Sequence, residues 1–569
     1  MKLLAMSPPS KFDWGRLGFR GFAVAAGLLF MQQSFLRAQT PPERAAVGRK
    51  YIISGAVVSA TTGQPLEDAE VSVQTVGPGG PMAETTTDAE GRFVFEGLPA
   101  AKYLLSASLH GFIAAPFDDH DGFSTGIVTG KGLVSGGLIF PLLPQAMIGG
   151  TVTDGSGDPV QHAQVSLYRR GTRDAPEEIV RQGMTTTDDL GIYEFERLEP
   201  GDYYVAVSAT PWYATQPQPT RDARGNTIAE ATRSPLDVAY PMTFFDSVTD
   251  SDSATPIRLK GGDKAKADFV LYPLPAVHLS VRVPTIRQGE RIFEPTIRQR
   301  AFGGIVIIPA QQIGEIYNGG QRVWTFGGLA PGHYEIQFRG PDGTVSSMPN
   351  VDATSPDGMV MDASQAVRLA DVSGQVALAD GEKLPNRMAI ALQSLKGTSR
   401  DGASLNGDGS FTLHGVAPGT YEVLATTPVA PLAVVQMIAS GAAVHGRMLT
   451  VGAQPVTLAA ILAEGSSTVT GFAERGGRPA PGVLVLLVPR NPAAGSERFR
   501  RDQSDSDGSF ALNEVIPGEY TLVAIENGWT LDWARPEAIA PYLAKGRQLT
   551  VSPHEKGIAL DGAIQVQPR

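Results

Sequence analysis

Cysteine is absent from this chain of 569 residues, and charged residues make up only 18% of it. Without cysteine the protein has no disulfides, no thiolate metal ligands, no cysteine nucleophile and no lipid-modified N-terminal cysteine. The formal net charge is −11, which makes nucleic acid and anionic lipid surfaces poor partners because both are themselves negative. We therefore expect no nucleic-acid partner.

Glycine and proline are abundant, with 65 and 43 residues. Inside a helix each glycine costs about 1 kcal/mol and each proline about 3 kcal/mol, whereas short strands joined by turns tolerate both. Hydrophobic residues make up 42% of the chain, which is enough for several buried cores. Length and composition therefore predict three to five domains that are mainly β structure.

Residues 1–38 have the pattern of an export signal. Four cationic residues precede an apolar run at 21–31, and Ala38 ends a plausible cleavage site. The run is too short for a bilayer, which needs about 20 apolar residues, although an uncleaved N-terminal anchor is the alternative. We predict a secreted, periplasmic or cell-surface protein with no integral membrane segment after cleavage.

Two sequence motifs recur along the rest of the chain. The opening motif, Ile-x-Gly-x-Val, starts at Ile53 and returns in similar form at Ile148, Val372 and Val469. The closing motif is Asp-x-x-Gly-x-Phe-x-Phe, followed by Leu, Pro-Gly and Tyr, and a degenerate copy contains Trp324. Its final tyrosines are Tyr103, Tyr203, Tyr334, Tyr421 and Tyr520. Five repeated units are therefore predicted, each about as long as a small β-sandwich.

The closing motif has a local physical explanation. Its Asp caps a tight turn, its Gly takes a positive φ, and the alternating aromatic residues point to one face of a strand. We interpret the strands on either side of the Pro-Gly turn as a hairpin with one apolar face. Trp324 replaces a core phenylalanine of the motif and is predicted to be buried.

The spacing of the motifs predicts the domain boundaries and a fold class. Few residues separate one unit from the next, so we expect the sandwiches to abut in a semi-rigid row. The long insertion in the second unit contains a possible short helix near Thr227–Thr232. The predicted segments are a signal peptide at 1–38 and β-sandwiches at 49–145, 146–275 (with the insertion 211–262), 276–370 (degenerate), 371–465 and 466–569.

Together, the opening and closing motifs resemble the carboxypeptidase regulatory-like domain. This resemblance is specific in the first, second, fourth and fifth units and weak in the third. It implies an all-β protein, a tandem array of about five Greek-key or transthyretin-like β-sandwich domains, related in fold to carbohydrate-binding-like modules. It also implies an exported bacterial protein, and it brings no catalytic residues with it.

No convincing catalytic or metal-binding motif is present. None of the eight histidines begins the His-x-x-Glu or His-Glu-x-x-His pattern of a zinc peptidase. The segment 122–126 matches a nucleophile elbow but lacks a helical pattern after it. The acidic clusters at 118–121, at 246–252 and at 502–507 are interpreted as solvated turns, with cation binding as the alternative. We predict no enzyme activity, no metal and no cofactor, while a hydrolase hidden in the loops 113–135 or 211–262 is a further alternative.

Aromatic residues are the candidate ligand-binding groups. Phe112, Trp212 and Trp529 each lie nine residues after the tyrosine of their unit, and Tyr213 and Trp533 lie close to two of them. We predict that Trp212, Tyr213, Trp529 and Trp533 stack on sugar rings. The alternative is that these rings cap the open ends of the sandwiches.

The sequence therefore predicts a non-enzymatic binding or scaffold protein of the cell envelope, with polysaccharide or an envelope protein as its partner. Carbohydrate is the leading ligand class, because of the resemblance and the candidate surface aromatics. The alternative is a structural spacer or a protein–protein assembly module without a sugar ligand.

Overall fold

The computed structural model describes fourteen stretches of the chain. The predicted signal peptide, residues 1–38, lies outside them. Within these stretches no helix combines the length and the apolar character that crossing a membrane requires. The described residues are 50–76, 82–172, 175–215, 220–221, 227–229, 234–283, 295–308, 310–318, 321–339, 344–354, 359–395, 400–427, 432–492 and 498–569.

The all-β fold is confirmed, and each predicted unit has its own β-sandwich. In the first unit a three-stranded and a five-stranded sheet enclose a core that includes Phe93, Phe95 and Tyr103. Its strands are Tyr51–Ser59, Glu70–Thr75, Met82–Thr86, Arg92–Leu98, Lys102–Ser108, Ala115–Pro116, Ile127–Val128 and Leu138–Leu142.

The second sandwich contains the described part of the long insertion. Strand Thr227–Ala229 pairs with Thr220–Arg221, so the prediction of a helix is wrong for these residues. The rest of that predicted helix, 230–232, lies outside the described residues. The strands are Ala146–Asp154, Gln164–Thr172, Ala175–Thr186, Ile192–Leu198, Gly201–Ser208, Thr220–Arg221, Thr227–Ala229, Val238–Ala239, Thr243–Phe244, Ile257–Leu259, Lys264–Lys266, Phe269–Leu271 and Leu274–Pro275.

The third and fourth sandwiches each pair a four-stranded sheet with a five-stranded one. Trp324 lies in the third core, as predicted. The strands of the third are Val277–Val283, Thr296–Ala301, Gly304–Ile307, Gln311–Asn318, Gln321–Leu329, Gly332–Arg339, Val345–Ala353, Met359–Asp362 and Val367–Arg368. Those of the fourth are Ala370–Leu378, Ala389–Ser394, Arg400–Ser404, Ser410–Val416, Gly419–Thr426, Leu432–Ser440, Ala442–His445, Met448–Val451 and Val456–Glu464.

In the fifth sandwich the last strand, Ile564–Gln567, pairs with strands of both layers and joins them into one nine-stranded sheet. An α-helix, Pro536–Leu543, begins with a proline, whose missing N–H costs nothing at that position. The other strands are Ser467–Arg475, Arg478–Pro479, Leu484–Pro489, Arg500–Gln503, Ser509–Val515, Gly518–Ile525, Arg547–Val551 and Gly557–Ala559.

The closing motif forms an arch between the two layers, and the prediction of a hairpin is wrong. In the first sandwich, strand Arg92–Leu98 pairs with the opening strand, whereas Lys102–Ser108 pairs with Glu70–Thr75 in the opposite layer. The other four sandwiches repeat this division. The motif aromatics and the tyrosine therefore enter the core from opposite sheets of the sandwich. Two strands of a single hairpin would lie in the same sheet.

Each arch is held by its tyrosine. The hydroxyl of Tyr103 donates to the carbonyl of Pro99, four residues earlier, at 3.1 Å. The same four-residue bond forms from Tyr203, Tyr334, Tyr421 and Tyr520, at 2.6 to 2.9 Å. This is the geometry of a tyrosine corner, and it explains why the tyrosine recurs in all five units.

Removing one of these hydroxyls should weaken its domain. Tyr334→Phe loses the bond to Ala330 and leaves a buried carbonyl without its donor, so we expect the third domain to lose about 1–2 kcal/mol of unfolding free energy. Urea unfolding followed by the fluorescence of the buried Trp324 measures the loss. Tyr272→Phe is the control, since that side chain is 63% exposed; equal effects of the two changes would contradict the corner's role.

Neighbouring domains two and three pack against each other, as expected. Phe302 of the third domain contacts Tyr168, Tyr204 and Phe244 of the second, with ring centroids 4.9 to 5.3 Å apart. At the same joint, His278 Nε2 of the third domain lies 2.7 Å from Asp237 Oδ2 of the second. The joint therefore combines a cluster of aromatic rings around Phe302 with a buried polar contact.

Candidate functional site

The first and fifth sandwiches contact each other, although three domains separate them in sequence. Residues Arg49–Arg569 form one compact unit, and within it the loop 117–128 of the first domain lies against 501–506 and Trp529 of the fifth. We call this contact, together with Lys102, the clasp. A row of domains that touch only their sequence neighbours is therefore the wrong description.

Backbone groups define the register of the clasp. The amide of Ser506 donates to the carbonyl of Gly126 at 2.9 Å. In the other direction, the amide of Gly126 donates to Asp505 Oδ1 at 3.0 Å, and that of Val128 to Ser506 Oγ at 2.8 Å. Because these bonds fix both partners along the chain, the contact is specific rather than a chance touching of surfaces.

Two ion pairs cross the clasp. Lys102 Nζ lies 2.5 Å from Asp505 Oδ2, and the Asp505 side chain is only 2% exposed. Burial raises the pKa of Asp505, while hydrogen bonding and charge from Lys102 act against that rise. The second pair, Arg501 with Asp121 at 3.1 Å, is nearer the rim. Lys102 therefore compensates a carboxylate that would otherwise be costly to bury.

The buried side chain of Gln503 connects three groups of the first domain. Its amide nitrogen donates to Thr125 Oγ1 at 2.7 Å and to Asp118 Oδ2 at 3.1 Å. Its amide oxygen lies 2.9 Å from His120 Nδ1. Since that oxygen can only accept, the imidazole donates from Nδ1.

Aromatic rings complete the clasp. Trp529 stacks on His120 and on Phe123, each with ring centroids 5.5 Å apart. The guanidinium of Arg501 lies over the Trp533 ring, 4.5 Å from its centroid. Trp529 and Trp533 are 3% and 5% exposed. The prediction that these two rings offer free faces to a sugar is therefore wrong, because protein groups already cover them.

The fifth domain forms this contact because its closing motif uses the first Asp differently. In the first two domains Asp88 and Asp188 each accept two amide hydrogens of their own turn. In the fifth, Asp507 accepts the amide and hydroxyl of Ser509. Asp505 accepts the same hydroxyl at 3.0 Å and also the Gly126 amide of the first domain. Sequence reasoning missed this change because both arrangements fit the same motif.

Several segments that resembled chemical motifs belong to the clasp or to turns. Residues 122–126 form part of the docking loop and are not followed by a helix, so they are not a nucleophile elbow. Asp250 caps the short 3-10 turn Ser251–Ser253. Among the residues that the structure describes, no three His, Cys, Asp or Glu side chains are grouped so that they could hold a metal ion.

Trp212 has the opposite environment to Trp529, although both lie nine residues after their tyrosine. It is 87% exposed, and its ring meets that of Tyr213 edge to face, with centroids 5.7 Å apart. The third ring at this offset, Phe112, packs against the core of the first sandwich. A fixed offset in sequence therefore does not give these rings a common role.

Polar and aromatic groups accompany Trp212. Tyr213 is hydrogen-bonded to Tyr240, whose pKa is raised by burial, by that bond and by the charge of Asp154. Tyr272 is 63% exposed, and its ring lies against Gly155, directly after Asp154. We call these residues the Trp212 surface. Tyr272 was not among the predicted site residues, because its position just after a strand gave no aromatic pattern.

Two segments of the chain are similar to a known domain family. Residues 52–119 and 147–239 match the family model of the carboxypeptidase regulatory-like domain. The first two sandwiches are similar to regulatory-like domains. Both matches include the opening and closing motifs, and the second extends over Trp212 and Tyr213. A search of curated proteins gave no match.

Solved structures with similar regions include two bacterial pilins. A streptococcal ancillary pilin is 11% identical, with 55% of this chain and 98% of that chain covered and a TM-score of 0.20. The Bacillus anthracis TIE protein is 10% identical, with 74% of this chain and 76% of that chain covered and a TM-score of 0.16. The minor pilin of Streptococcus agalactiae is 11% identical, with 40% of this chain and 97% of that chain covered and a TM-score of 0.19. TM-scores this low transfer no property of those proteins to the regulatory-like domains described here.

Proposed function

We propose that this chain is an exported, non-enzymatic binding scaffold that holds carbohydrate on the Trp212 surface of its second regulatory-like domain. The observation that carries the proposal is the 87% exposure of Trp212. Exposing so large an aromatic side chain to water is unfavourable, and a partner that covers it would recover the apolar contact.

The chemistry of the Trp212 surface suits a sugar. The indole provides a flat face for the C–H groups of a pyranose ring, and the edge-to-face contact with Tyr213 restricts its orientation. Tyr272 is exposed, and its hydroxyl can both donate to and accept from sugar hydroxyls. The scaffold's contribution is to hold the loop that presents these groups.

Removing the Trp212 ring should abolish most of the sugar affinity. For Trp212→Ala we expect at least tenfold weaker binding, about 1.4 kcal/mol, whereas Trp212→Tyr should retain part of it because a flat ring remains. Glycan-array screening followed by calorimetry on the best ligand measures both. Val134→Ala, which shortens an 81% exposed apolar side chain in the first domain, is the matched control. Unchanged binding of every glycan by Trp212→Ala would refute the proposal.

A second candidate function is protein–protein assembly without a sugar ligand. The clasp favours it, because Trp529, one of the four candidate aromatics, already holds one domain on another. In that case Trp212 would anchor a protein partner, and co-purification with envelope proteins should be lost in Trp212→Ala while all glycans fail to bind.

A further inference from the structure

We propose that the clasp also joins separate copies of this chain, with the first domain of one copy docked on the fifth domain of the next. This inference goes beyond sugar binding and does not involve the Trp212 surface. Three observations carry it: the two halves differ, the contact between them is specific, and the covalent link between them is long.

The two halves of the clasp are different surfaces. The first domain contributes Lys102 and the loop 117–128, and the fifth contributes 501–506 and Trp529. A contact between unlike surfaces is heterologous, so it can close within one chain or continue from copy to copy. Every chain carries one half of each kind.

The contact is specific to this pair of domains. Asp505 of the fifth domain accepts from the Gly126 amide and pairs with Lys102, while it also accepts from the Ser509 hydroxyl of its own turn. Asp88 and Asp188 at the same motif position remain bound to their own turns. Pairing between copies is therefore expected to join a first domain to a fifth domain and no other combination.

The bonds across the clasp are mostly hydrogen bonds and ion pairs around one aromatic stack. Contacts of this polar kind between domains of one chain resemble transient protein interfaces, which open and close. Once open, the halves pair again either within the chain or with another copy. Pairing within the chain therefore competes with pairing between copies. The three intervening domains set the effective concentration of one half near the other, and pairing between copies requires a comparable concentration of chains.

Two single variants, each damaging one half, separate these outcomes. Lys102→Glu places a carboxylate against Asp505, and Asp505→Lys places an ammonium group against Lys102, so neither variant can form the clasp with itself. In an equimolar mixture, the intact first domain of the D505K variant meets the intact fifth domain of the K102E variant. A native clasp then forms, but only between unlike copies.

The measurement is the molar mass by light scattering after size-exclusion chromatography, without any glycan. We expect each variant alone to have the monomer mass and the mixture to show a species of twice that mass. Tryptophan emission should shift to the red in each single variant, as Trp529 becomes exposed, and should partly recover on mixing.

The proposal is overturned if the mixture remains monomeric up to the highest soluble concentration. It is also overturned if both single variants keep the wild-type emission, since the clasp would then not depend on this pair. If circular dichroism shows that a buried-site variant is unfolded, Asp121→Lys and Arg501→Glu make the same test at the rim, where the side chains are 36% and 19% exposed. Failure of sugar binding leaves these results unchanged, so the two proposals fail separately.

Discussion

Lys102→Met should open the clasp, because it leaves the carboxylate of Asp505 buried without its cation. Asp505 is only 2% exposed, and removing one partner of a buried pair costs about 3–5 kcal/mol. Opening is the less costly outcome, since it returns the carboxylate to water. We therefore expect this loss of free energy to weaken the contact between the two domains, while the sandwich cores keep their stability.

Hydrogen exchange measures this opening directly. In Lys102→Met the amides of Gly126, Val128 and Ser506 should lose protection, while the amide of Val57, bonded to Gly91 within the first sandwich, should keep it. Lys266→Met is the matched control, because its ion pair with Asp268 is exposed and worth at most about 1 kcal/mol.

Removing both charges of the Lys102–Asp505 pair should allow the clasp to close again. The double variant Lys102→Met with Asp505→Asn removes both charges and keeps a side-chain oxygen that can accept from Gly126. We expect it to recover most of the protection, because replacing both partners avoids the unpaired buried charge. Equal exchange in the single and double variants would contradict the assignment of Lys102 as the compensating cation.

The stability of the fifth domain should fall as the pH rises from about 4 to about 7. Burial raises the pKa of Asp502 to about 6, and Asp505 adds to the rise, against opposing hydrogen bonds from the Ala511 and Gln503 amides and the charge of Lys102. In the unfolded chain this carboxyl has a pKa near 3.8, so the folded domain binds the proton more tightly. The resulting stabilisation is complete below about pH 4 and is lost as the pH passes through 6, a change of about 2–3 kcal/mol.

Asp502→Asn tests this dependence. We expect hydrogen exchange in strand Ser509–Val515 to become slower on acidification in the wild-type protein, after correction for intrinsic rates, and to lose most of that dependence in the variant. Asp408→Asn is a control for a pH dependence of the opposite sign. Hydrogen bonds from Ser410 lower the pKa of Asp408, so the stabilisation that its carboxylate provides is lost as the pH falls. Identical pH profiles for Asp502→Asn and the wild type would exclude Asp502 as the source.

The sequence predicted the repeat unit well because its motifs are local. Asp88 and Asp188 cap their turns as expected. The motif glycines have positive φ, and at Gly191 a Cβ would lie 2.4 Å from the carbonyl oxygen of Val152. Such turns depend on residues a few positions apart, so their requirements can be read directly from the chain. The burial of Trp324 followed from the same alignment of motifs.

The prediction was wrong where two distant segments meet. Nothing in the closing motif distinguishes a hairpin from an arch, because alternation shows which residues face the core but not which layer carries them. The burial of Trp529 depends on a loop some 400 residues earlier in the chain, including His120 and Phe123. An exposed and a covered tryptophan have the same local sequence signal.

The sequence by itself determined the all-β class, the five closing tyrosines and the residue types at each turn, since local backbone geometry and strand periodicity require them. Tertiary structure alone decided that the first domain closes on the fifth, that Asp505 serves this contact and that Trp212 remains exposed. The physical reason is that burial and charge compensation are properties of surfaces brought together by folding, and Lys102 and Asp505 lie too far apart in sequence to be paired before it.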